Sequence, residues 1–194
     1  MTRLAIFGWI VGCWYATIPA FWLAIHPFAG YWRTWRRSPY WVLLPFWLLI
    51  IGAAIVLTLP WFGIKLYETP WSWLPAAALF AGAISVYHGA RGHISNHQVM
   101  GRAELEPGKH EQKLVSTGIH ARVRHPLYLG HLCMLLGWTV GTGWVALYGL
   151  TAFAVLSGWA MIYFEERELE KRFGDEYREY KKGVPVLVPR LWNT

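Results

Sequence analysis

An all-α integral membrane protein is the fold class that this sequence predicts. Of its 194 residues, 55% are hydrophobic, 17% are aromatic and only 15% are charged, a balance too apolar for an ordinary soluble domain. The apolar residues collect in five segments, each close to the roughly 20 residues that a helix needs to cross the hydrocarbon core. Tryptophans lie at several segment ends, as in an aromatic belt at the membrane surface. We therefore expect a single membrane-embedded domain, residues 1–194.

The five apolar segments predict five transmembrane helices. The first segment lacks a small-residue cleavage site followed by a polar mature region, so it predicts a retained helix rather than a signal peptide. The predicted spans, in chain order, are residues 4–25, 40–61, 71–88, 127–144 and 145–164.

The fourth and fifth spans are joined by Gly141-Thr142-Gly143, a link so short that the two helices must form a tight antiparallel hairpin. The fourth span also carries a stripe of small residues, which lets a neighbouring helix approach closely. This stripe consists of Gly130, Gly137 and Gly141. Beyond the fifth span, apolar side chains recur every three or four residues among charged ones, which predicts a C-terminal amphipathic helix at the membrane interface. Its apolar residues are Leu169, Phe173, Tyr177 and Tyr180.

The distribution of basic residues predicts the orientation. All but two of the 18 Lys and Arg residues, Arg3 and Lys65, lie on one side of a five-span arrangement. Because positive residues are retained in the cytoplasm, the N-terminus is expected outside and the C-terminus in the cytoplasm. The net charge of +7 is then explained by orientation and by attraction to anionic membrane lipids, and no nucleic-acid partner is predicted.

One cluster of cations and rings directly precedes the fourth span, in KLVSTGIHARVRHPLYLG. The small residues 116–118 form a turn whose amides are open to a ligand. Arg124 and His125 follow, and Pro126 is suited to the first turn of a helix. The cluster indicates either a ligand-binding loop or a membrane-edge loop whose arginines bind lipid phosphates.

A second polar cluster, the pair Glu165 and Glu166, lies at the end of the fifth span. Adjacent carboxylates at a membrane boundary are costly unless a cation binds them. They are also typical of the acidic first turn of a surface helix. The pair therefore indicates either a buried cation partner or the start of a new helix.

Three histidines are candidate catalytic bases. His93 and His97 are four residues apart, which would place both rings on one helix face at a spacing that metals accept. Without a carboxylate one turn further on, headgroup contact or the lining of a cavity is the favoured interpretation, and no metal site is predicted. His131 lies one turn inside the fourth span, where an ionisable side chain is expected to face a cavity or another polar group.

The two clusters together resemble the integral-membrane methyltransferases that include isoprenylcysteine carboxyl methyltransferase and the bacterial phospholipid methyltransferases. The resemblance rests on TGIHARVRHPLYLG followed by EERELEKRFGDEYREYKKGVP, and extends from Leu114 to Pro189. It implies S-adenosylmethionine as cofactor, a cofactor-binding half at about residues 113–190, and a lipophilic or membrane-partitioned acceptor (isoprenylcysteine-like, or a lipid amine or thiol). Together with the apolar segments, the sequence leads us to expect a multi-pass protein of a prokaryotic cytoplasmic membrane, and no obligate protein partner is evident from it.

The family's cofactor contacts carry over by position. The resemblance implies that the turn borders the cofactor through its backbone, that His125 and Tyr128 hold the cofactor's polar end, and that Glu165 meets its ammonium or ribose. The full set implied is Leu114, Val115, Ser116, Thr117, Gly118, His120, Arg124, His125, Tyr128, Glu165 and Glu166.

Two positions depart from the family pattern. His120 stands where the family usually has a tyrosine, and Met161 stands where the eukaryotic isoprenylcysteine enzymes carry an arginine for the substrate carboxylate. Met161 is therefore a candidate substrate-binding residue, and a prenylcysteine acid is disfavoured as substrate. The alternative functions are an NADPH-dependent oxidoreductase resembling the sterol reductases, which normally have Asn in place of Pro126, and a small membrane protein without enzymatic activity.

Overall fold

The computed structural model describes residues 3–106, 109 and 113–189. Within those ranges the chain forms nine α-helices and no β-strand. Residue 190, the end of the predicted cofactor-binding half, lies outside the described residues. The helices are α1 (Arg3–Leu23), α2 (Ala29–Trp32), α3 (Tyr40–Thr58), α4 (Trp73–Arg91), α5 (Asn96–Val99), α6 (Arg102–Leu105), α7 (Pro126–Thr142), α8 (Val145–Phe173) and α9 (Asp175–Gly183).

Each of the five predicted spans corresponds to a long helix. Three segments are long and apolar enough to cross a membrane: Arg3–Trp32, Tyr40–Trp61 and Val145–Phe173. By contrast, α7 has only 17 residues, and α4 carries His88 and Arg91 in its last turn. Three membrane-spanning helices are thus supported by length and composition, and the five-span arrangement stays a prediction.

The C-terminal amphipathic stretch begins differently from the prediction. α8 continues without a break from Val145 to Phe173, so Glu165 and Glu166 lie inside a long helix and do not open a new one. The break comes at Gly174, which has φ 58°, and α9 follows directly. No helix-breaking residue precedes Gly174 in the last turns of α8, which explains why the membrane helix runs past the two carboxylates.

Glycines on α7 pack against aromatic rings on α4. Gly130, Gly137 and Gly141 lie against Tyr87, Phe80 and Trp73, in that order. A Cβ atom at Gly137 would lie 2.5 Å from a ring carbon of Phe80, a distance that no real Cβ adopts. The predicted small-residue stripe is thereby confirmed as the surface on which the two helices meet.

The α7–α8 hairpin is as tight as the sequence predicts. α7 ends at Thr142 and α8 begins at Val145. Gly143 between them has φ 69°, and a Cβ there would lie 2.7 Å from the carbonyl oxygen of Tyr67. The hairpin therefore brings the beginning of α7 beside the later turns of α8, which carry Glu165.

A core of side chains from α1, α7 and α8 fixes these helices against one another. Trp9 and Cys13 of α1 are buried with Leu135 of α7 and Leu147 and Leu150 of α8. On α3, by contrast, Leu49 and Leu57 are 73% and 72% exposed. Apolar exposure of this extent on the most hydrophobic helix is expected of a surface that faces lipid.

The glycine–aromatic contact between α7 and α4 is testable by mutation. We expect Gly137→Ala to lower the thermal midpoint in detergent, because overpacking a close contact costs about 1–3 kcal/mol. Gly82→Ala on α4 is the matched control, since none of the described atoms lies within 4 Å of a Cβ at Gly82. Equal midpoints for the two variants would contradict the packing described for α4 and α7.

Candidate functional site

A cavity of about 210 Å³ lies where α7 begins. Its walls come from four parts of the chain: the end of α1, the segment around α5 and α6, the loop before α7, and the later turns of α8 with α9. Chemically informative residues in its wall are Trp22, His26, Glu104, Leu114, Val115, His120, Arg124, His125, Tyr128, His131, Glu165, Leu169 and Tyr177.

The loop before α7 forms one wall of this cavity. Gly118 has φ 62°, and a Cβ there would lie 2.2 Å from Nε2 of His93, so His93 packs against the turn from outside. His120 is buried, and its carbonyl oxygen accepts a hydrogen bond of 2.6 Å from the hydroxyl of Tyr180. Burial, reinforced by the charges of His93 and His125, lowers the pKa of His120 to about 4.

The C-terminal segment closes the loop from the other side. The backbone N–H groups of Arg124 and His125 donate to the carbonyl oxygens of Pro185 and Val186, over 2.9 and 3.2 Å. The guanidinium of Arg124 also donates to the carbonyl oxygens of Lys181 and Val184. The extended tail after α9 thus belongs to the site, a role that sequence reasoning did not assign to it.

Glu166 is held by three cationic groups. Its carboxylate lies 2.7 Å from Nη2 of Arg124, 2.9 Å from Nζ of Lys181 and 3.3 Å from Nε2 of His125. The residue is buried and does not line the cavity. A buried carboxylate needs such partners because an unpaired charge in a low-dielectric interior is expensive. Lys181 is a further member of the site that the sequence analysis missed.

Glu165 faces the cavity. Its Oε2 lies 3.3 Å from Nδ1 of His125 and 3.9 Å from Nε2 of His26. His125 therefore lies between the two carboxylates, with its ring stacked on Tyr128 at a centroid distance of 5.6 Å. Burial alone would lower the pKa of His125, but the charge of the adjacent Glu165, together with the close Glu166 carboxylate, outweighs burial and raises the pKa to about 9.

A smaller pocket of about 80 Å³ adjoins the cavity. Its wall is almost entirely apolar and includes Tyr15, Pro19, Leu135, Gly158, Trp159, Met161 and Leu187. Tyr128 and His131 line both spaces. Nδ1 of His131 is buried and has no hydrogen-bond partner among the described residues. The polar cavity and the apolar pocket thus meet at one tyrosine and one histidine.

The structure gathers most, but not all, of the residues expected at the site. Those that line the cavity are Leu114, Val115, His120, Arg124, His125, Tyr128, His131 and Glu165. Those that do not are Ser116, Thr117, Gly118 and Glu166, while Met161 lines the apolar pocket. His93 and His97 line neither space.

The expectation that His93 and His97 share a helix face is wrong. α4 ends at Arg91, and α5 begins only at Asn96. Ser95 caps α5: its hydroxyl accepts from the backbone N–H of Gln98, while the Gln98 side chain accepts from the backbone N–H of Ser95. This reciprocal capping starts a new helix between the two histidines, so their rings do not share one helix face.

Fold and site together define a class: a helical membrane protein with a charged cavity that adjoins an apolar pocket. Such an arrangement can bring a polar ligand next to an apolar one while excluding water. Comparison with known proteins specifies the class further. The family model described as phospholipid methyltransferase matches residues 77–176, which is 100 of 194 residues. The chain belongs to this family.

Individual relatives agree with the family assignment. Methanethiol S-methyltransferase 2 of Bradyrhizobium diazoefficiens is 40% identical over 72 residues, which cover 36% of this chain and 26% of that protein. Protein-S-isoprenylcysteine O-methyltransferase of Schizosaccharomyces pombe is 40% identical over 84 residues, 40% of this chain and 34% of that protein. Delta(14)-sterol reductase TM7SF2 of Mus musculus is 34% identical over 119 residues, 59% of this chain and 28% of that protein.

These matches confirm the resemblance inferred from the two motifs, and relatives named methyltransferases indicate an enzyme. The matched regions span only about a quarter to a third of these relatives' own lengths. No solved structure gives a significant match to the chain.

The charge on His125 predicts a pH dependence of stability. Because its pKa is raised from 6.5 to about 9, its contribution should be complete below about pH 6.5 and should fade as the pH rises through 9. The thermal midpoints of the native protein and of His125→Gln should therefore converge above pH 9. His120→Gln is the matched control: the pKa of His120 is lowered from 6.5 to about 4, so this residue is neutral in both the folded and the unfolded protein above about pH 7.5, and the effect of its replacement should be constant from there to pH 9 and beyond. If the difference in thermal midpoint between the native protein and His125→Gln did not change with pH, the charged state of His125 would be contradicted.

Proposed function

We propose that this chain is an S-adenosylmethionine-dependent methyltransferase whose acceptor is a small thiol dissolved in the bilayer. The observation that carries the proposal is the junction between two spaces. A charged cavity bounded by Glu165 and His125 meets an apolar pocket at Tyr128 and His131. Family membership supports the reaction type.

The residues of the larger cavity fit the cofactor. An amino-acid group carries one cation and one anion, and the cavity offers an anion at Glu165 and a cation at His125. Oε2 of Glu165 is buried without an aligned hydrogen-bond donor in the described part of the chain, so it is available to a ligand. Leu114, Val115 and Leu169 supply apolar wall against which a purine can pack.

The chain's own groups match the needs of thiol methylation. When bound, S-adenosylmethionine supplies a methyl group activated on a sulfonium. Transfer to a thiol would break the methyl–sulfonium bond, form a methyl–sulfur bond to the acceptor, leave S-adenosylhomocysteine and release the thiol proton. Nδ1 of His131, which has no hydrogen-bond partner among the described residues, would accept that proton. The apolar wall of the pocket excludes water and aligns the acceptor with the cavity.

The size and lining of the pocket favour a small acceptor. The pocket, at about 80 Å³, is less than half the size of the adjoining cavity of about 210 Å³, which favours an acceptor smaller than the cofactor. Met161 is 1% exposed and forms part of the wall. Its side chain is uncharged and cannot form an ion pair with a substrate carboxylate. Of the two relatives' activities, methanethiol S-methylation therefore suits this pocket better than methylation of a prenylcysteine.

The distribution of Lys and Arg supports a cytoplasmic opening for the cavity, because the cavity lies at the end of the bundle where most of them occur. The cofactor would enter from the cytoplasm and the acceptor from the bilayer. In a chain whose native Cys13 and Cys133 are replaced, labelling of Lys109→Cys by an impermeant thiol reagent in inverted vesicles, and not in right-side-out ones, would agree with this orientation. The opposite labelling pattern would exclude it.

The two adjacent glutamates should respond differently to loss of charge. We expect Glu165→Gln to weaken binding of S-adenosylhomocysteine by about tenfold or more, because a charge-assisted hydrogen bond contributes about 1.5–3 kcal/mol. Glu166→Gln should mainly lower the thermal midpoint, because Arg124 and Lys181 lose their buried partner. Calorimetry and thermal unfolding in detergent measure both quantities. Unchanged affinity in a folded Glu165→Gln protein would remove Glu165 from the site.

Filling the apolar pocket should impair acceptor binding alone. Gly158 lines the pocket, and we expect Gly158→Leu to raise the KM for ethanethiol about tenfold, the scale of steric discrimination in a hydrophobic pocket. The dissociation constant for S-adenosylhomocysteine should stay unchanged. Gly149→Leu, on the exposed side of the same helix, is the control. An unaltered KM in Gly158→Leu would place the acceptor elsewhere.

A further inference from the structure

His26 is a buried histidine in the cavity wall that neither the motifs nor the family comparison singles out. It follows the end of α1 and is 5% exposed. The ring is stacked on Trp22 at a centroid distance of 5.2 Å and an interplanar angle of 14°. Both rings line the cavity. The orientation of the imidazole is thus fixed by packing before any ligand binds.

One nitrogen of this ring is hydrogen-bonded to Glu104. Nδ1 of His26 lies 3.0 Å from Oε1 of Glu104, and both side chains are almost fully buried. Nε of Arg33 in turn donates to the carbonyl oxygen of Glu104 over 2.9 Å, and Arg33 pairs with Glu168 of α8. Glu104 is therefore fixed, and a proton on Nδ1 directed at Glu104 leaves Nε2 with a free lone pair.

The second ring nitrogen, Nε2, is available to a ligand. Nε2 of His26 has no hydrogen-bond partner in residues 3–106, 109 and 113–189. It lies 3.9 Å from Oε2 of Glu165, an atom that likewise has no aligned donor within those ranges. With the proton on Nδ1, both atoms are acceptors and cannot hydrogen-bond to each other, and each is costly to leave unsatisfied. A ligand group with several N–H donors can satisfy both.

We infer that His26 and Glu165 together bind the α-ammonium group of the cofactor's amino-acid moiety. The inference deepens the proposed function and depends on it, because it specifies how the same cavity recognises its ligand. An ammonium carries three donors and a positive charge, so it can donate to Nε2 and to the carboxylate at once. Its charge also disfavours a second proton on the imidazole, which keeps Nε2 an acceptor.

The arrangement also explains the different surroundings of the two glutamates. Glu166 is already paired with Arg124, Lys181 and His125, so it has little capacity left for a ligand. Glu165 has Nδ1 of His125 on one side and Nε2 of His26 on the other. The space between Glu165 and His26 is thereby selective for a hydrogen-bond donor with positive charge.

Two ligands separate this role from a structural one. S-adenosylhomocysteine carries the amino-acid group, whereas 5′-methylthioadenosine has the same adenine and ribose without it. In calorimetric titrations we expect His26→Ala to weaken S-adenosylhomocysteine about tenfold and to leave the affinity for 5′-methylthioadenosine within twofold of the native value. Equal losses for both ligands, which would indicate a ribose contact or a general defect, overturn the inference. So does an unchanged affinity for S-adenosylhomocysteine.

A second variant covers the case in which His26→Ala does not fold. Glu104→Gln retains an oxygen that can accept from Nδ1 of His26 while removing a negative charge beside the ammonium site. It should also weaken S-adenosylhomocysteine selectively, and equal effects on the two ligands would again overturn the inference. Failure of the native protein to bind S-adenosylhomocysteine would instead refute the proposed function, so the two failures are distinguishable.

Discussion

The pairing of two adjacent carboxylates, the buried Glu166 and the partly buried Glu165, is the constraint on which the site depends. Charges removed from water need partners at close range, and the loss of one partner typically costs several kcal/mol. In this chain the partners come from distant segments: Arg124 and His125 precede α7, and Lys181 lies in α9. Pairing these charges therefore brings the loop, α8 and α9 together, and leaves Glu165 facing the cavity.

Helix packing makes that pairing geometrically possible. The glycines of α7 let α4 approach closely, and the sharp turn at Gly143 returns the chain along α7 as α8. His125 at the start of α7 and Glu165 in α8 are 40 residues apart in sequence, yet the hairpin places them side by side. The apolar pocket adjoins the cavity between α1, α7 and α8, and Tyr128 and His131 line both spaces. The glycine contacts of α7 and the turn at Gly143 therefore fix both the helix packing and the positions of the charged residues in the site.

Local features of the site were predictable from the sequence. The five long helices, the hairpin and the glycine stripe follow from periodicity and short links, and the family resemblance implied that His125 and Glu165 belong to one site. Two signals were present but misinterpreted. The absence of a helix breaker between Glu165 and Gly174 indicates one continuous helix, and Ser95 with Gln98 marks a capping box that separates His93 from His97.

Other parts of the site depend on long-range contacts that no local pattern indicates. Glu104 meets His26 across 78 residues, and Arg33 reaches Glu168 across 135. The pairing of Arg124 and His125 with the backbone of Pro185 and Val186 likewise has no signal in composition or spacing. Such contacts arise only when the helices are packed, which is why His26, Lys181 and the C-terminal tail entered the site only with the structure.

Equilibrium binding of radiolabelled S-adenosylmethionine to the purified protein in detergent tests the central claim most directly. The account predicts saturable binding of one molecule per chain, displaced by S-adenosylhomocysteine and unaffected by NADPH. Absence of saturable binding, or displacement by NADPH, would contradict it and would favour the reductase-like alternative suggested by the similarity to the sterol reductase.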